Sequence, residues 1–230
     1  MELYVIPHCK YCYKTILQAA LLGEKCELKV IDATEMIPSL YLDHNLQHFV
    51  PILKKDDGSF MQESEDIINY LRNLPGSRLP AKPAMPEDDV VYLQCQLFAR
   101  LRFACQYYFK LYYANSIIAN SDVDNIAPFP GSEKNGIQLV CDELENRIES
   151  RFVNGSTLPC ITSDDFDIFP DLMLPYILSK YCGFKFGPRT MKYMEEIIKL
   201  CSGVKGFKVD LYLKDAMLSY LARMSEKKSV

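Results

Sequence analysis

The 230-residue sequence contains no apolar run near the roughly 20 residues a membrane-spanning helix needs, so no span is expected. It begins Met1-Glu2-Leu3-Tyr4-Val5-Ile6-Pro7, without the basic start and apolar core of a signal peptide, and those apolar residues read as a strand. A cytoplasmic protein with no membrane association is the expectation. Strong positive charge is also missing. The formal net charge is −4, and the Lys227-Lys228 pair near the C-terminus reads as a solvated tail. Nucleic acid, whose binding rests on neutralised phosphates, is not an expected partner. There is no disulfide framework: the nine cysteines are odd in number, and their spacings form no pattern. Most should be reduced thiols. Cys95, Cys105, Cys141, Cys182 and Cys201 fall in apolar, helix-like stretches and read as small core hydrophobes; Cys26 reads as part of a strand and Cys160 as part of a loop. No internal repeat and no low-complexity segment occurs.

What is present falls into two regimes. Residues 1–74 alternate strand-like and helix-like segments. Residues 3–6 form an apolar strand. Residues 13, 16, 17, 20 and 21 make a helical stripe that Gly23 ends. Cys26, Leu28 and Val30 alternate with charged residues, as in a half-buried strand. A helical or irregular stretch leads to about Leu46. Residues 51–53 and 59–61 then flank Lys55-Asp56-Asp57-Gly58, whose Asp-Gly step predicts a tight antiparallel hairpin. Residues 65–71 close the region as a helix with Ile67, Ile68 and Leu71 inward. The order β-α-β-α-β-β-α, with one parallel crossover and one hairpin, is the thioredoxin-like arrangement.

Residues 75–87 hold four prolines, at 75, 80, 83 and 86, and read as a linker. From 88 to 230 the pattern is all-helical. It has a long apolar and aromatic stripe over 90–113 and a loop over 120–136. Helices are expected over 136–152, from Thr162-Ser163-Asp164-Asp165 to Tyr181, and over 191–201 and 211–224. Thr162-x-x-Asp165 has the form of a capping box, and Pro170 in the second turn predicts an irregular first turn.

The sharpest motif is Cys9-Lys10-Tyr11-Cys12, directly after the first strand and opening the first helix. Unpaired N–H groups and the helix dipole favour negative charge there, and the thiolate is the reactive form of cysteine. Cys9, at the cap, is the candidate nucleophile; Cys12, one turn on and facing inward, can attack a disulfide formed on Cys9. Lys10 adds positive charge beside the thiolate. His8 can do the same, or serve as a polar loop residue. C-x-x-C is also half a zinc site, but no second C-x-x-C or H-x₃-H follows, and His8, His44 and His48 are scattered, so no metal is expected. Spacing alone also allows two structural cysteines.

Two further features fit a peptide-like ligand. Val50-Pro51 opens a strand that faces the cysteine pair in a thioredoxin-like fold. A cis bond there would present the Val50 backbone to an extended ligand; a trans, structural bond is the alternative. Glu63-Ser64-Glu65-Asp66 reads as a helix N-terminus with Ser64 as N-cap. The same N-terminus can bind a ligand carboxylate while Glu63 holds an ammonium group, as a γ-glutamyl moiety would require. Both readings can hold together.

Taken in order, Leu3-Tyr4, His8-Cys9-x-Tyr11-Cys12, Val50-Pro51-Ile52-Leu53-x-Lys55-Asp56-Asp57 and Met61-x-Glu63-Ser64-x-Asp66-Ile67 closely resemble the bacterial glutaredoxin 2 family. These are larger glutaredoxins with a glutathione S-transferase-like fold: a thioredoxin-like N-terminal domain and an all-α C-terminal domain. The resemblance covers the first 75 or so residues. Beyond the linker it is weaker, carried by Thr162-x-x-Asp165 and Phe169-Pro170. It implies a glutathione-dependent thiol–disulfide oxidoreductase, monomeric, with glutathione as co-substrate and disulfide-containing or glutathionylated proteins as partners. Cys9 would be the nucleophile and Cys12 the resolving thiol. Tyr11, Val50 and Pro51 would bind glutathione, and Glu63 and Ser64 its γ-glutamyl end. Two positions depart from the pattern. Lys10 replaces the usual proline, and Phe49 stands where a glutamine often contacts the glycyl end, leaving Gln47 or His48 as candidates for that contact. Rival readings are a glutathione S-transferase or dehydroascorbate reductase, with Tyr4 or Tyr11 activating glutathione, and a non-enzymatic interaction protein of the same fold.

Overall fold

The structure is a computed structural model that describes residues 1–6, 9–23, 25–31, 44–47, 49–80, 101, 131–148, 161–182 and 184–209. Most of the helical or irregular stretch before Leu46, the helices expected over 90–113 and 211–224, and most of the linker lie outside the described residues. The chain divides into two compact units, Met1–Leu79 with Ile197–Tyr220, and Pro80–Glu196 with Leu221–Val230.

In the first unit, β1 (Glu2–Val5), β2 (Glu27–Val30), β3 (Ile52–Lys54) and β4 (Phe60–Met61) form one sheet in the order β2-β1-β3-β4. β1 and β2 are parallel, and the other neighbours are antiparallel. The period of two sorts the side chains. Leu3, paired with both Leu28 and Leu53, and Val5 are buried on one face. On the other, Ile31 and Ile52 collect Tyr4, Ile6, Leu46, Val50 and Phe60. The hairpin between β3 and β4 forms as Asp-Gly predicts: Gly58 N–H donates to the Lys55 carbonyl, and Gly58 takes the φ of 82° that favours glycine.

Helices α1 (Lys10–Leu22) and α2 (Ser64–Arg72) pack against each other. α1 buries Ile16, Leu17, Ala20 and Leu21, and α2 buries Ile67, Ile68 and Leu71. Gly23, at φ 87°, ends α1 at the residue the sequence marks. Cys26 is not within a strand but immediately precedes β2, and it is buried. The outer edge of β2 is covered late in the chain, where Leu28 N–H donates to the Lys205 carbonyl at 2.8 Å and Lys205 Nζ lies 3.0 Å from Glu27 Oε2. This closes an edge that would otherwise stay open to pairing.

The second unit is helical where described. α3 (Gly131–Ile148) begins five residues before the expected start at 136. Gly136 lies inside the helix, where it costs about 1 kcal/mol against alanine without ending it. α4 (Asp165–Cys182) carries both Pro170 and Pro175. Its first turn is tightened, with Phe166 and Asp167 N–H donating to the carbonyls of Ser163 and Asp164 three residues back. The Thr162–Asp165 box forms around the carboxylate: Asp165 Oδ2 accepts from Thr162 N–H at 2.7 Å and from the Thr162 hydroxyl at 3.1 Å. Tyr193, on α5 (Pro188–Cys201), donates its buried hydroxyl to Asp165 Oδ1 at 2.9 Å. The start of α5 is satisfied by a carboxylate from α3. Glu145 accepts from Arg189 N–H at 2.8 Å and from Thr190 N–H and hydroxyl, both at 2.9 Å. Gly187 lies so close that a Cβ would come within 2.2 Å of the Glu145 side chain. Among the described residues, no helix is long and apolar enough to cross a membrane.

Candidate active site at the start of helix α1

Cys9 is the N-cap of α1, in extended geometry with φ −87° and ψ 116°, and its sulfur makes no capping hydrogen bond. Its carbonyl receives the first helical N–H, from Tyr13 at 3.2 Å, while its own N–H donates to Ile6. No acidic residue lies in the first turn of α1, so the positive end of the helix is left to the cysteine. Cys9, at the cap, is partly exposed, and Cys12, inside the helix, is fully buried. Burial pushes the Cys12 thiol well up, and a hydrogen bond and charge from Cys9 push it the same way, outweighing the opposite pull of an Ile6 backbone hydrogen bond. Cys12 therefore holds its proton and can share it with the Cys9 sulfur.

The peptide bond between Val50 and Pro51 is cis. The Val50 carbonyl oxygen lies 4.0 Å from Cys9 Sγ, the outer limit of a thiol hydrogen bond. The Val50 backbone thus lies beside the sulfur, ahead of β3. Tyr11 is 51% exposed, and Lys10 Nζ lies 5.5 Å from the centre of its ring. His8 and His48 lie outside the described residues.

At the other segment the cap is one residue earlier than expected. Glu63 is the N-cap of α2 and Ser64 the first helical residue, with no side-chain cap bond. Only Gln62 and Glu63 separate β4 from α2, so the chain reverses within two residues and Glu63 is driven to φ 68°, ψ 119°. Such a conformation in a non-glycine residue costs on the order of 1–3 kcal/mol. Glu65 and Asp66 occupy the first turn, and Lys14 of α1 reaches Glu65 at 3.5 Å.

Sequence reasoning passed over Gln62. Its side chain bonds the backbone of both Gln47 and Phe49. Nothing in the periodicity marks it, because its partners lie 13 to 15 residues away. Tyr4, a candidate for activating glutathione in the transferase reading, donates its hydroxyl to Glu2 at 2.9 Å, and burial with the nearby carboxylate pushes its phenol up to about 12. Phe49 is 40% exposed. The other described thiols, Cys26, Cys141 and Cys201, are buried and pushed up, Cys26 to about 11 and Cys141 to about 12. Among the described residues, no three His, Cys, Asp or Glu side chains converge to hold a metal ion.

Residues 3–79 match the family described as the glutathione S-transferase N-terminal domain. The fold is that of the glutathione S-transferases. The resemblance to glutaredoxin 2 stands at 40% identity over 81 residues with glutaredoxin 2 of Escherichia coli strain K12, an alignment covering 34% of this chain and 36% of the relative. The chain thus spans about a third of the length of the curated relatives it matches. Among solved structures, glutaredoxin 2 of Salmonella typhimurium in complex with glutathione is similar at a TM-score of 0.56 and 20% identity, covering 87% of this chain and 94% of that one. Dehydroascorbate reductase of Chlamydomonas reinhardtii is similar at a TM-score of 0.55 and 14% identity, covering 96% and 97%. At these identities the two structures bear on fold.

Proposed function

We propose that this protein is a glutathione-dependent thiol–disulfide oxidoreductase of the glutaredoxin type. The observation that carries the reading is the placement of Cys9 Sγ at the uncapped start of α1, 4.0 Å from the Val50 carbonyl, with the protonated Cys12 buried behind it. An extended thiol peptide paired with the Val50 backbone would bring its sulfur to Cys9. The start of α2, with Ser64 as its first residue, would receive the γ-glutamyl carboxylate, and Glu63 its ammonium group. Pro51 fixes the turn, and Tyr11 lines the rim.

The Cys9 thiolate attacks the glutathionyl sulfur of a mixed disulfide, breaking that S–S bond and releasing the substrate thiolate, which takes a proton from water. Cys9–S–S–glutathione remains. A second glutathione thiolate attacks the glutathionyl sulfur, giving glutathione disulfide and restoring Cys9. With a protein disulfide, Cys9 joins one substrate sulfur and releases the other as a thiol. Cys12 then loses its proton and attacks Cys9, freeing the second substrate thiol and leaving a Cys9–Cys12 disulfide. Two glutathione molecules reduce it and leave as their disulfide. The thiol acidities set the rates of attack and departure.

The substrates are glutathionylated or disulfide-containing proteins, the compartment is the cytoplasm, and the acting species is a monomer. Residues 1–74 serve as the glutathione-binding redox domain, 75–87 as the linker and 88–230 as the helical domain. Glutathione is the only small-molecule partner, with no metal. The test is turnover coupled to glutathione reductase. Cys9→Ser should lose activity with both substrate types, at least a thousandfold. Cys12→Ser should lose reduction of protein disulfides while retaining deglutathionylation. An active Cys9→Ser protein overturns the reading.

A further inference from the structure

Gln62 is committed to the chain segment that leads into the cis peptide bond. Its Oε1 accepts from Gln47 N–H at 2.8 Å, and its Nε2 donates to the Gln47 carbonyl at 2.7 Å and to the Phe49 carbonyl at 3.1 Å. The paired bonds to Gln47 reproduce the two-way bonding of one strand residue with another, with a side-chain amide standing in for the second backbone. The same Gln47 carbonyl also accepts from Phe49 N–H at 2.8 Å, so the segment is turned tightly just before Val50. Holding a half-buried glutamine in one rotamer costs side-chain entropy, which these three bonds offset.

The consequence lies in what Gln62 joins. On one side it fixes the residues preceding Val50, whose carbonyl faces Cys9. On the other it is covalently next to Glu63 and the start of α2. Under the reading above, those are the two places that grip one ligand, the first its cysteinyl backbone and the second its γ-glutamyl end. We infer that Gln62 is a positioning residue that sets the spacing between these two grips and so preorganises the groove for a γ-glutamyl thiol peptide. The inference rests on the proposed function and deepens it. The three hydrogen bonds of Gln62 go to backbone atoms and not to the thiols. Its loss leaves the thiol chemistry intact but makes the ligand order the 47–49 segment on binding, which weakens affinity.

The experiment measures steady-state turnover of a glutathionylated peptide with varied glutathione for wild type, Gln62→Ala and Gln62→Met. Methionine keeps the length of the side chain but not its hydrogen bonds. Both variants should raise KM for glutathione about tenfold and keep kcat at saturating glutathione within twofold of wild type. The pH profile of Cys9 alkylation should not move. Gln62→Glu, which can accept from Gln47 N–H but cannot donate to the two carbonyls, should not restore the wild-type KM. Amide exchange at Gln47 should quicken in the alanine and methionine variants, which lose the acceptor for its N–H. A KM within twofold of wild type in both the alanine and methionine variants overturns the inference, as does wild-type behaviour of the glutamate variant. A wild-type protein that neither turns over nor binds glutathione overturns the function itself, and is told apart because the failure appears before any substitution.

Discussion

Helix α1 of the first unit and helices α4 and α5 of the second begin in opposite ways. α4 opens on Asp165, whose carboxylate holds the Thr162 N–H and the buried Tyr193 hydroxyl. α5 opens on N–H groups satisfied by Glu145, borrowed from α3. Both answer the positive end of a helix with a permanent negative charge. α1 has no acidic residue in its first turn and a cysteine at its cap, followed by Lys10. In the helical unit the field is neutralised for stability. In the proposed function, at Cys9 it is left for a charge that exists only when a thiol ionises. On that reading, a helix start that contributes to stability and one that supports chemistry differ in whether the counter-charge is built in.

The comparison can be broken most forcefully at Asp165. Asp165→Ala removes the carboxylate that accepts from the buried Tyr193 hydroxyl and the Thr162 N–H and should cost about 3 kcal/mol of stability, read as a lower urea midpoint. Turnover by the protein that remains folded should stay within twofold of wild type. A comparable loss of turnover by folded protein would erase the distinction between the two kinds of helix start.

Alkaline pH sharpens the contrast between buried thiols and Cys9. Burial raises Cys26 to about 11 and Cys141 to about 12. An unfolded chain loses these protons near pH 9, where the folded chain still holds them, so the unfolded state binds fewer protons. Stability should be fully present below about pH 9 and fall as pH rises toward these folded values, by about 1.4 kcal/mol per pH unit for each thiol. Cys26→Ala should flatten the decline by one thiol's share, measured as denaturant midpoints from pH 8 to 10.5; an unchanged slope would mean that Cys26 titrates alike in both states. The smallest effect is expected at Lys10. Lys10→Glu gives α1 the acidic first turn that α4 already has. It should slow Cys9 alkylation at pH 7 about three- to tenfold while changing stability by less than about 0.5 kcal/mol. An unchanged alkylation rate would remove Lys10 from the account of the thiol.

The first unit was largely legible because its signals are local. Alternation around Leu3 and Leu28, the Asp57-Gly58 step and the Gly23 stop each act within a few residues. Cys9 and Cys12 were legible for the same reason, since one helical turn brings two side chains onto one face of the helix start. The start of α2 was misplaced by one residue: Ser64 is a good N-cap by type, but the short connection from β4 puts the reversal at Glu63. The start of α3 was misplaced by five because Gly136 resembles a boundary when its neighbours are unknown. Gln62, Glu145 and Lys205 gave no sign of their roles, since each bonds a backbone 13 or more residues away.

By itself, the sequence determined where strands and helices of the first unit run and that a thiol pair opens its first helix, because propensity, turn chemistry and helical periodicity are short-range. Only the tertiary structure decided that Val50, joined to Pro51 by a cis bond, stands beside Cys9, that Glu63 bears the strained turn, and that Gln62 ties the two segments together. Those facts depend on how distant pieces of backbone meet, and hydrogen bonds between such pieces leave no spacing in the chain to read.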